Sequence, residues 1–214
     1  MIKIIKDLTP KGEKYYFAVS MGVDSVAAYF WMKMKGYDVT PLHFNHHLRV
    51  QNDLMESKFV ELCEATNAPK IIGHGVNLKT EKECRDARIK FYSSVVEEGA
   101  NILTAHHLND WVESYLMNCF RGHPNHTAIS FESYFNNFTL VHPFLLSRKS
   151  DFVQFAERNN LMRFVVTDET NSEIVGSRRN WVRNVIVPEM TNQELSLEKF
   201  AERRIKRSLK KVCT

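Results

Sequence analysis

Tyr15-Tyr16-Phe17-Ala18-Val19-Ser20-Met21-Gly22-Val23-Asp24-Ser25 decides the fold. An aromatic and β-branched run, the composition of a strand, breaks into a turn of small residues. Residues 23–35 then carry helical patterning that stops at Gly36. At such a strand–turn–helix junction backbone N–H groups converge and the helix N-terminus adds positive potential, which suits a phosphate. Ser20 and Ser25 add hydroxyl donors, whereas Asp24 alone would repel an anion and so points to Mg2+ between them. The same residues also fit a plain turn in which Asp24 or Ser25 caps the helix. Neither G-x-x-x-x-G-K nor G-x-G-x-x-G is present, so this is not a Walker loop or a Rossmann fingerprint.

Outward from this junction the pattern repeats. Strand candidates at residues 38–44, 70–74, 101–105 and 139–142 alternate with helical stretches at 52–66, 81–98, 109–120 and 150–160. Alternation of this kind predicts an α/β domain with a mainly parallel five-stranded sheet flanked by helices. Residues 122–138, rich in Gly, His, Pro and Asn, are expected to be irregular.

Composition is that of a soluble globular chain: 214 residues, 43% apolar and 25% charged. No apolar run approaches the roughly 18 residues of a membrane span, and lysines interrupt the N-terminal apolar stretch, so no secretory leader is visible. Cys63, Cys84, Cys119 and Cys213 form no C-x-x-C pair, which disfavours a disulfide framework or structural zinc and fits a reducing cytoplasm. Of the formal net charge of +4, residues 197–214 carry +5, leaving −1 for the rest. Leu197, Phe200, Ala201, Ile205, Leu209 and Val212 fall near helical spacing, so this tail reads as a basic amphipathic helix. It fits a surface for RNA, an anionic membrane or a partner, and equally a helix docked by its apolar stripe.

Ser20–Ser25 resembles the S-G-G-x-D-S loop of PP-loop ATP pyrophosphatases, and further segments resemble the tRNA(Ile)-lysidine synthetases among them. His43-Phe44-Asn45-His46-His47-Leu48-Arg49 is similar to H-x-N-H-x-L-R, and Cys84-Arg85-Asp86-Ala87-Arg88 to A-R-x-x-R. Ala105-His106-His107-Leu108-Asn109-Asp110-Trp111-Val112-Glu113, followed by Arg121-Gly122, resembles A-H-H-x-D-D-x-x-E and R-G. Asp168-Glu169-Thr170-Asn171 resembles D-x-S-N, and Arg179-Asn180-Trp181-Val182-Arg183, ahead of Pro188, resembles R-N-x-x-R. The matches keep their order over roughly residues 15–190. Met21 stands where the family has the loop's first glycine; a side chain there disfavours positive φ, so the turn is expected to be reached another way. Asn109 replaces the first aspartate of the D-D pair, and His142-Pro143-Phe144-Leu145 stands for R-P-L-L.

The resemblance implies a PP-loop catalytic domain over residues 1–190, a basic helix over 191–214, and a minimal form without the family's C-terminal domains. It implies attack of the C2 oxygen of a wobble cytidine on the α-phosphate of ATP, loss of pyrophosphate, then attack of free lysine at C2 with release of AMP. Implied ATP-binding residues are Ser20, Met21, Gly22, Val23, Asp24, Ser25 and Arg85, with Mg2+ on Asp24. Implied catalytic residues are Asp24, Arg88, His107, Asp110 and Glu113, where His or carboxylate would hold the lysine ammonium and take its proton. Implied RNA-binding residues are His46, Arg49, Arg121, Arg179, Asn180 and Arg183, with Arg203, Arg204, Lys206 and Arg207 of the tail. The partners implied are tRNA(Ile) with a CAU anticodon and lysine, with no membrane; a homodimer through the tail is an open arrangement. Three other readings stay open: a zinc site at His106, His107, Asp110 and Glu113, a PP-loop tRNA thiolase, which the cysteine pattern disfavours, and a degenerate PP-loop protein that binds nucleotide or tRNA without chemistry.

Overall fold

The computed structural model describes residues 1–167, 178–192 and 197–212. Six strands form one sheet: β1 (Lys14–Ala18), β2 (Asp38–Asn45), β3 (Ile71–His74), β4 (Ala100–Leu103), β5 (Glu132–Tyr134) and β6 (Phe138–Val141). Their order is β3-β2-β1-β4-β6-β5, parallel throughout except for β5, which runs antiparallel to β6. Five of the six match the strands expected from the alternation. The sixth, β5, lies inside the stretch expected to be irregular: Glu132, Ser133 and Tyr134 pair with Val141, Leu140 and Thr139. Three residues carry too little periodicity to announce a strand, and this one exists through pairing with an edge.

Helices α1 (Val23–Met34), α2 (Val50–Thr66), α3 (Glu81–Val95), α4 (Leu108–Phe120) and α5 (Lys149–Arg158) connect and flank the sheet. Residues 178–192 form one helical run, α6 (Arg178–Trp181), a π-helical turn Val182–Ile186 and α7 (Val187–Asn192), before α8 (Leu197–Val212). β1 is enclosed on its inward side: Tyr15 and Phe17 are buried with Tyr29 and Met32 of α1, Phe144 and Phe152. Phe17 meets Tyr29 and Phe144 at ring-centroid distances of 6.2 and 6.3 Å, the tilted geometry aromatic quadrupoles favour. A second cluster joins Leu108, Trp111, Val112 and Leu116 of α4 to Val182, Ala201 and Ile205. The apolar stripe of α8 is therefore covered by α4 of the same chain, with Phe200 beside Tyr115 at 5.1 Å. Among the described residues no helix is long and apolar enough to cross a membrane.

The order of strands decides where chemistry can sit. β1 lies between β2 and β4, and the chain leaves it on one side before returning on the other. At such a switch point the loops after the two central strands splay apart and leave a crevice at their carboxyl ends. The loop after β1 and the turn from β4 into α4 face each other there.

Candidate active site

The loop after β1 reaches its turn by a route its sequence disfavours. Met21 takes φ +64°, the left-handed region where glycine is at home. Its side chain is wholly buried in the core around Val19 and Val26, and its carbonyl accepts the N–H of Val166 at 2.9 Å. The expectation that a side chain at residue 21 would force another turn is thus corrected: the conformation is kept, and burial of a thioether side chain offsets a strain of about 1–2 kcal/mol.

Ser25 Oγ donates to Gly22 O at 2.9 Å and accepts the N–H of Ser20 at 3.1 Å, with Ser20 Oγ 3.1 Å away. The serines brace the loop and do not cap α1: Gly22 occupies the N-cap and makes no side-chain cap bond. The helix N-terminus is thereby left open to a ligand. Asp24 projects from that first turn, half-buried, and its Oδ1 is buried with no hydrogen-bond partner among the described residues.

Across the crevice, His107 is the N-cap of α4, and Asp110 Oδ2 accepts the His107 backbone N–H at 3.0 Å. His107 Nδ1 lies 3.3 Å from Asp110 Oδ2, and its Nε2 lies 3.5 Å from Asp24 Oδ2. One imidazole therefore bridges the two sides of the switch point. Burial pulls the proton affinity of His107 down, but the hydrogen bond to Asp24 and the charges of Asp110 and Asp24 outweigh it, and its pKa is raised. For Asp110, burial pushes up while His107, His106 and the backbone N–H pull down, and the net direction is down. The pair thus favours imidazolium and carboxylate.

Behind Asp110, one turn along α4, Glu113 is almost fully buried. Arg183 closes a bidentate pair on it, Nε to Oε1 and Nη2 to Oε2, both at 2.8 Å, and Arg179 Nε adds a contact to Oε2 at 3.4 Å. Arg183 Nη2 also lies 3.7 Å from Asp110 Oδ1. Arg183 rides on the π-helical turn, a local widening that recurs at functional sites. Sequence reasoning groups Glu113 with the proton-handling residues and the two arginines with RNA; their mutual grip is not visible in spacing, because the segments lie about seventy residues apart.

The remaining candidates divide by position. Arg88, half-buried on α3, faces the crevice: with Arg179 and His107 its charge helps burial hold His106 below the ordinary histidine range. It also lowers His46, which burial chiefly depresses to about 4. Arg85 is exposed on α3. Arg49 is the exposed N-cap of α2. Arg121 lies at the far end of α4, roughly 16 Å along the axis from Asp110. It lines a groove of about 640 Å³ with Ser114, Asn118, Arg178 and Arg179, and Asn180 is half-buried on the neighbouring α6. Arg203, Arg204, Lys206 and Arg207 are exposed on α8. The segment Asp168–Asn171 lies outside the described residues.

Two departures from the family pattern acquire partners. Asn109 accepts the N–H of Lys149 at 3.1 Å and donates to Glu198 of α8 at 3.3 Å. An aspartate in its place would face Glu198 with like charge. His142, where the family pattern has arginine, is buried against Thr104 Oγ1 at 2.6 Å and beside His106, and burial pushes its pKa down to about 3. The zinc reading of this region loses its geometry: among the described residues the one cluster arranged to hold a metal is elsewhere, at His47, Glu56 and His74.

The donor set fits both implied ligands. An open helix N-terminus with braced hydroxyls suits a polyphosphate, and an orphaned, buried carboxylate oxygen beside it suits a hard cation. A family model described as the PP-loop domain matches residues 1–190. Curated tRNA(Ile)-lysidine synthases are similar to the chain. That of Lactococcus lactis is 29% identical over 202 residues, 90% of this chain and 46% of the relative. That of Lactiplantibacillus plantarum is 30% identical over 186 residues, 81% and 41%, and that of Streptococcus agalactiae 28% over 208 residues, 91% and 47%. The chain spans less than half the length of these relatives. The solved structure of the U34-tRNA thiolase NcsA from Methanococcus maripaludis, with its 4Fe-4S cluster, aligns with a TM-score of 0.70 over 96% of this chain and 75% of that one, at 15% identity, a likeness of fold. A braced loop at the switch point of a parallel sheet and a family match across nearly nine-tenths of its length agree: the chain belongs to the PP-loop domain family.

Proposed function

We propose that this protein is an ATP-dependent tRNA-modifying ligase of the lysidine synthetase kind, joining lysine to C2 of a wobble cytidine in tRNA(Ile). The observation that carries this reading is the Asp24–His107–Asp110 bridge across the switch point. It sets an open anion site, an unpartnered carboxylate oxygen and a proton-holding imidazole within a few ångströms of one another, which adenylation followed by amine attack requires.

Ser20, Gly22, Ser25 and the first turn of α1 would hold the polyphosphate of ATP, with Arg88 and Arg85 as further cations. Asp24 would hold Mg2+, which when bound spreads the negative charge that builds on the phosphates. Attack by the C2 oxygen of cytidine on the α-phosphate expels pyrophosphate. The lysine ε-amine then displaces AMP from C2, after its ammonium gives up a proton. Asp110 and His107 receive that ammonium: the carboxylate attracts it, and His107, whose pKa is raised, accepts the proton from the fraction of molecules in which its imidazole is neutral. Glu113 has both oxygens committed to Arg183, so its role is to fix that guanidinium behind Asp110. The groove along α4, with Arg121, Arg178 and Arg179, offers a path for an RNA strand ending at the Glu113 pair. His46, Arg49, Asn180 and the basic residues of α8 would supply further contacts to the RNA.

Among the described residues, cysteine placement favours this over a thiolase reading. Cys63 is buried, with its thiol pushed up to about 11, and Cys84 and Cys119 sit on separate helices. The test is mass spectrometry of nucleosides from unmodified tRNA(Ile) incubated with protein, ATP, Mg2+ and lysine. Lysidine is the expected product. Nucleotide and tRNA binding with no modified nucleoside would move the protein to the class of inactive binders.

A further inference from the structure

Outside the crevice, at the outer edge of the sheet, the chain gathers a second set of polar groups. The register of β2 against β3 places Asn45 opposite His74, so the residues that follow β2 meet the carboxyl end of β3. His47 turns back through φ +51°, and its Nε2 comes to 2.8 Å from His74 Nδ1, the two rings nearly parallel at 17°. Glu56, on the second turn of α2, presents Oε2 at 3.6 Å from His74 Nδ1. The ligand atoms of His47, Glu56 and His74 all lie within 4.8 Å of one another.

We propose that His47, His74 and Glu56 form a binding site for a single Zn2+ ion, independent of the nucleotide crevice. Two imidazoles and one carboxylate are a donor set that suits Zn2+ and leaves a fourth position for water. With Zn–N bonds of about 2.0–2.1 Å, tetrahedral ligands stand roughly 3.3 Å apart. The His74–Glu56 separation is already close to this, and the two rings, each exposed over less than half of the side chain, need to part by about 0.5 Å.

The outer groups are also in place. His47 Nδ1 lies 3.2 Å from Asp53 Oδ1, so Nδ1–H donates to the carboxylate and Nε2 keeps its lone pair for the ion, the carboxylate–histidine–metal relay common at such sites. Asn45 Nδ2 donates to Glu56 Oε2 at 2.7 Å and to Asp53 Oδ1 at 3.1 Å, while its Oδ1 accepts the His47 N–H at 2.8 Å. One asparagine thus orients a ligand carboxylate, the outer carboxylate and the backbone of a ligand histidine. Bound Zn2+ would tie the β2–α2 turn to the end of β3.

The experiment uses the full chain, stripped with chelator and titrated with Zn2+ against a chromophoric competitor, and then with Co2+ alone for its visible absorption. One equivalent should bind, Co2+ should give the intense bands of a four-coordinate site, and Zn2+ should raise Tm, since an ion that binds only the folded state stabilises it. His47→Gly suits the left-handed backbone and His74→Ala lies at a strand end; each should lower affinity at least tenfold and abolish the Tm rise. Asp53→Asn should lower it roughly tenfold. The double variant His123→Ala/His126→Ala removes an exposed close histidine pair elsewhere, 4.8 Å between centroids, and should change nothing. Far-UV circular dichroism of the stripped variants separates lost ligands from lost fold. Unaltered Zn2+ affinity in folded His47→Gly/His74→Ala protein, loss of binding in His123→Ala/His126→Ala, or no binding to the parent chain would each overturn the site.

Discussion

The crevice and helix α8 use charged residues in opposite ways. In the crevice each charge is aimed: Asp24, His107, Asp110, Arg183 and Glu113 form a continuous chain of contacts of 2.8 to 3.7 Å, and most of it is withdrawn from water. On α8 the burial is done by Ala201 and Ile205, while Arg203, Arg204 and Arg207 stand in solvent. Its internal pair, Lys206 with Glu202 at 2.6 Å, is an exposed contact of small worth. Buried charges depend on orientation and tolerate no loss of a partner; exposed ones act through their summed field and can be removed one at a time.

Replacing Asp110 by Ala is the hardest blow to the first arrangement. Product formation should fall about 10²–10⁴-fold, the range of a lost proton-handling group, with far-UV circular dichroism unchanged; full lysidine yield from the folded variant would remove Asp110 from the chemistry. Arg183→Ala leaves Glu113 buried without its main partner and should cost about 3–5 kcal/mol, read as a shifted urea midpoint. The double variant Arg183→Met/Glu113→Leu should recover much of that loss while remaining inactive, which separates stability from catalysis.

Met21→Gly tests the loop. Glycine relieves the left-handed strain of about 1–2 kcal/mol, but it deletes a wholly buried side chain worth about 2–5 kcal/mol. A net loss of about 2 kcal/mol is expected, so restoring the family glycine lowers Tm; a rise in Tm would show that strain outweighs packing. Acid should reveal a comparable effect. His46 and His142 fold with pKa values near 4 and 3, against about 6.5 unfolded. Between those values the unfolded chain binds more protons, so stability falls as pH drops below about 6.5. His142 alone contributes about 2 kcal/mol of loss at about pH 5, and His142→Gln should flatten that limb of a Tm–pH curve. His107 runs the other way: its pKa is raised, so its pairing is complete below about 6.5 and fades as pH climbs through the folded value. The smallest effect belongs to α8. Arg203→Gln, Arg204→Gln and Arg207→Gln should each weaken tRNA binding roughly threefold and reduce the salt slope by about 1 for every phosphate no longer neutralised, with Tm unmoved. An unchanged slope in the triple variant would take α8 off the RNA.

The strand–turn–helix at Ser20–Ser25 and the alternation around it were legible because they are local: periodicity, small turn residues and chain order all point one way. The histidine and carboxylates at the head of α4 were singled out through the family resemblance, since their spacing alone equally fits residues that merely oppose the helix dipole. What stayed hidden depends on distant pairing. Nothing near Arg183 announces Glu113, nothing near Asn109 announces Glu198, and β5 exists only against β6. Met21 misled because local propensity is overruled when a side chain finds a core to fill. His47 and His74 had a readable signal, a histidine after one strand and another ending the next, but only the β2–β3 register makes them neighbours.

Asn109 and Asp110 are adjacent on the first turn of α4, yet they answer to different systems: Asp110 to the crevice, Asn109 to Glu198 on α8 and the head of α5. One turn of helix is therefore a common member of both. If nucleotide binds the crevice and RNA binds α8 as proposed, linkage imposes a symmetry: whatever factor the nucleotide applies to the affinity for RNA, the RNA applies to the nucleotide. Asn109→Ala, which cuts the tie to Glu198 and leaves Asp110 in place, is where that common factor should first shrink towards 1.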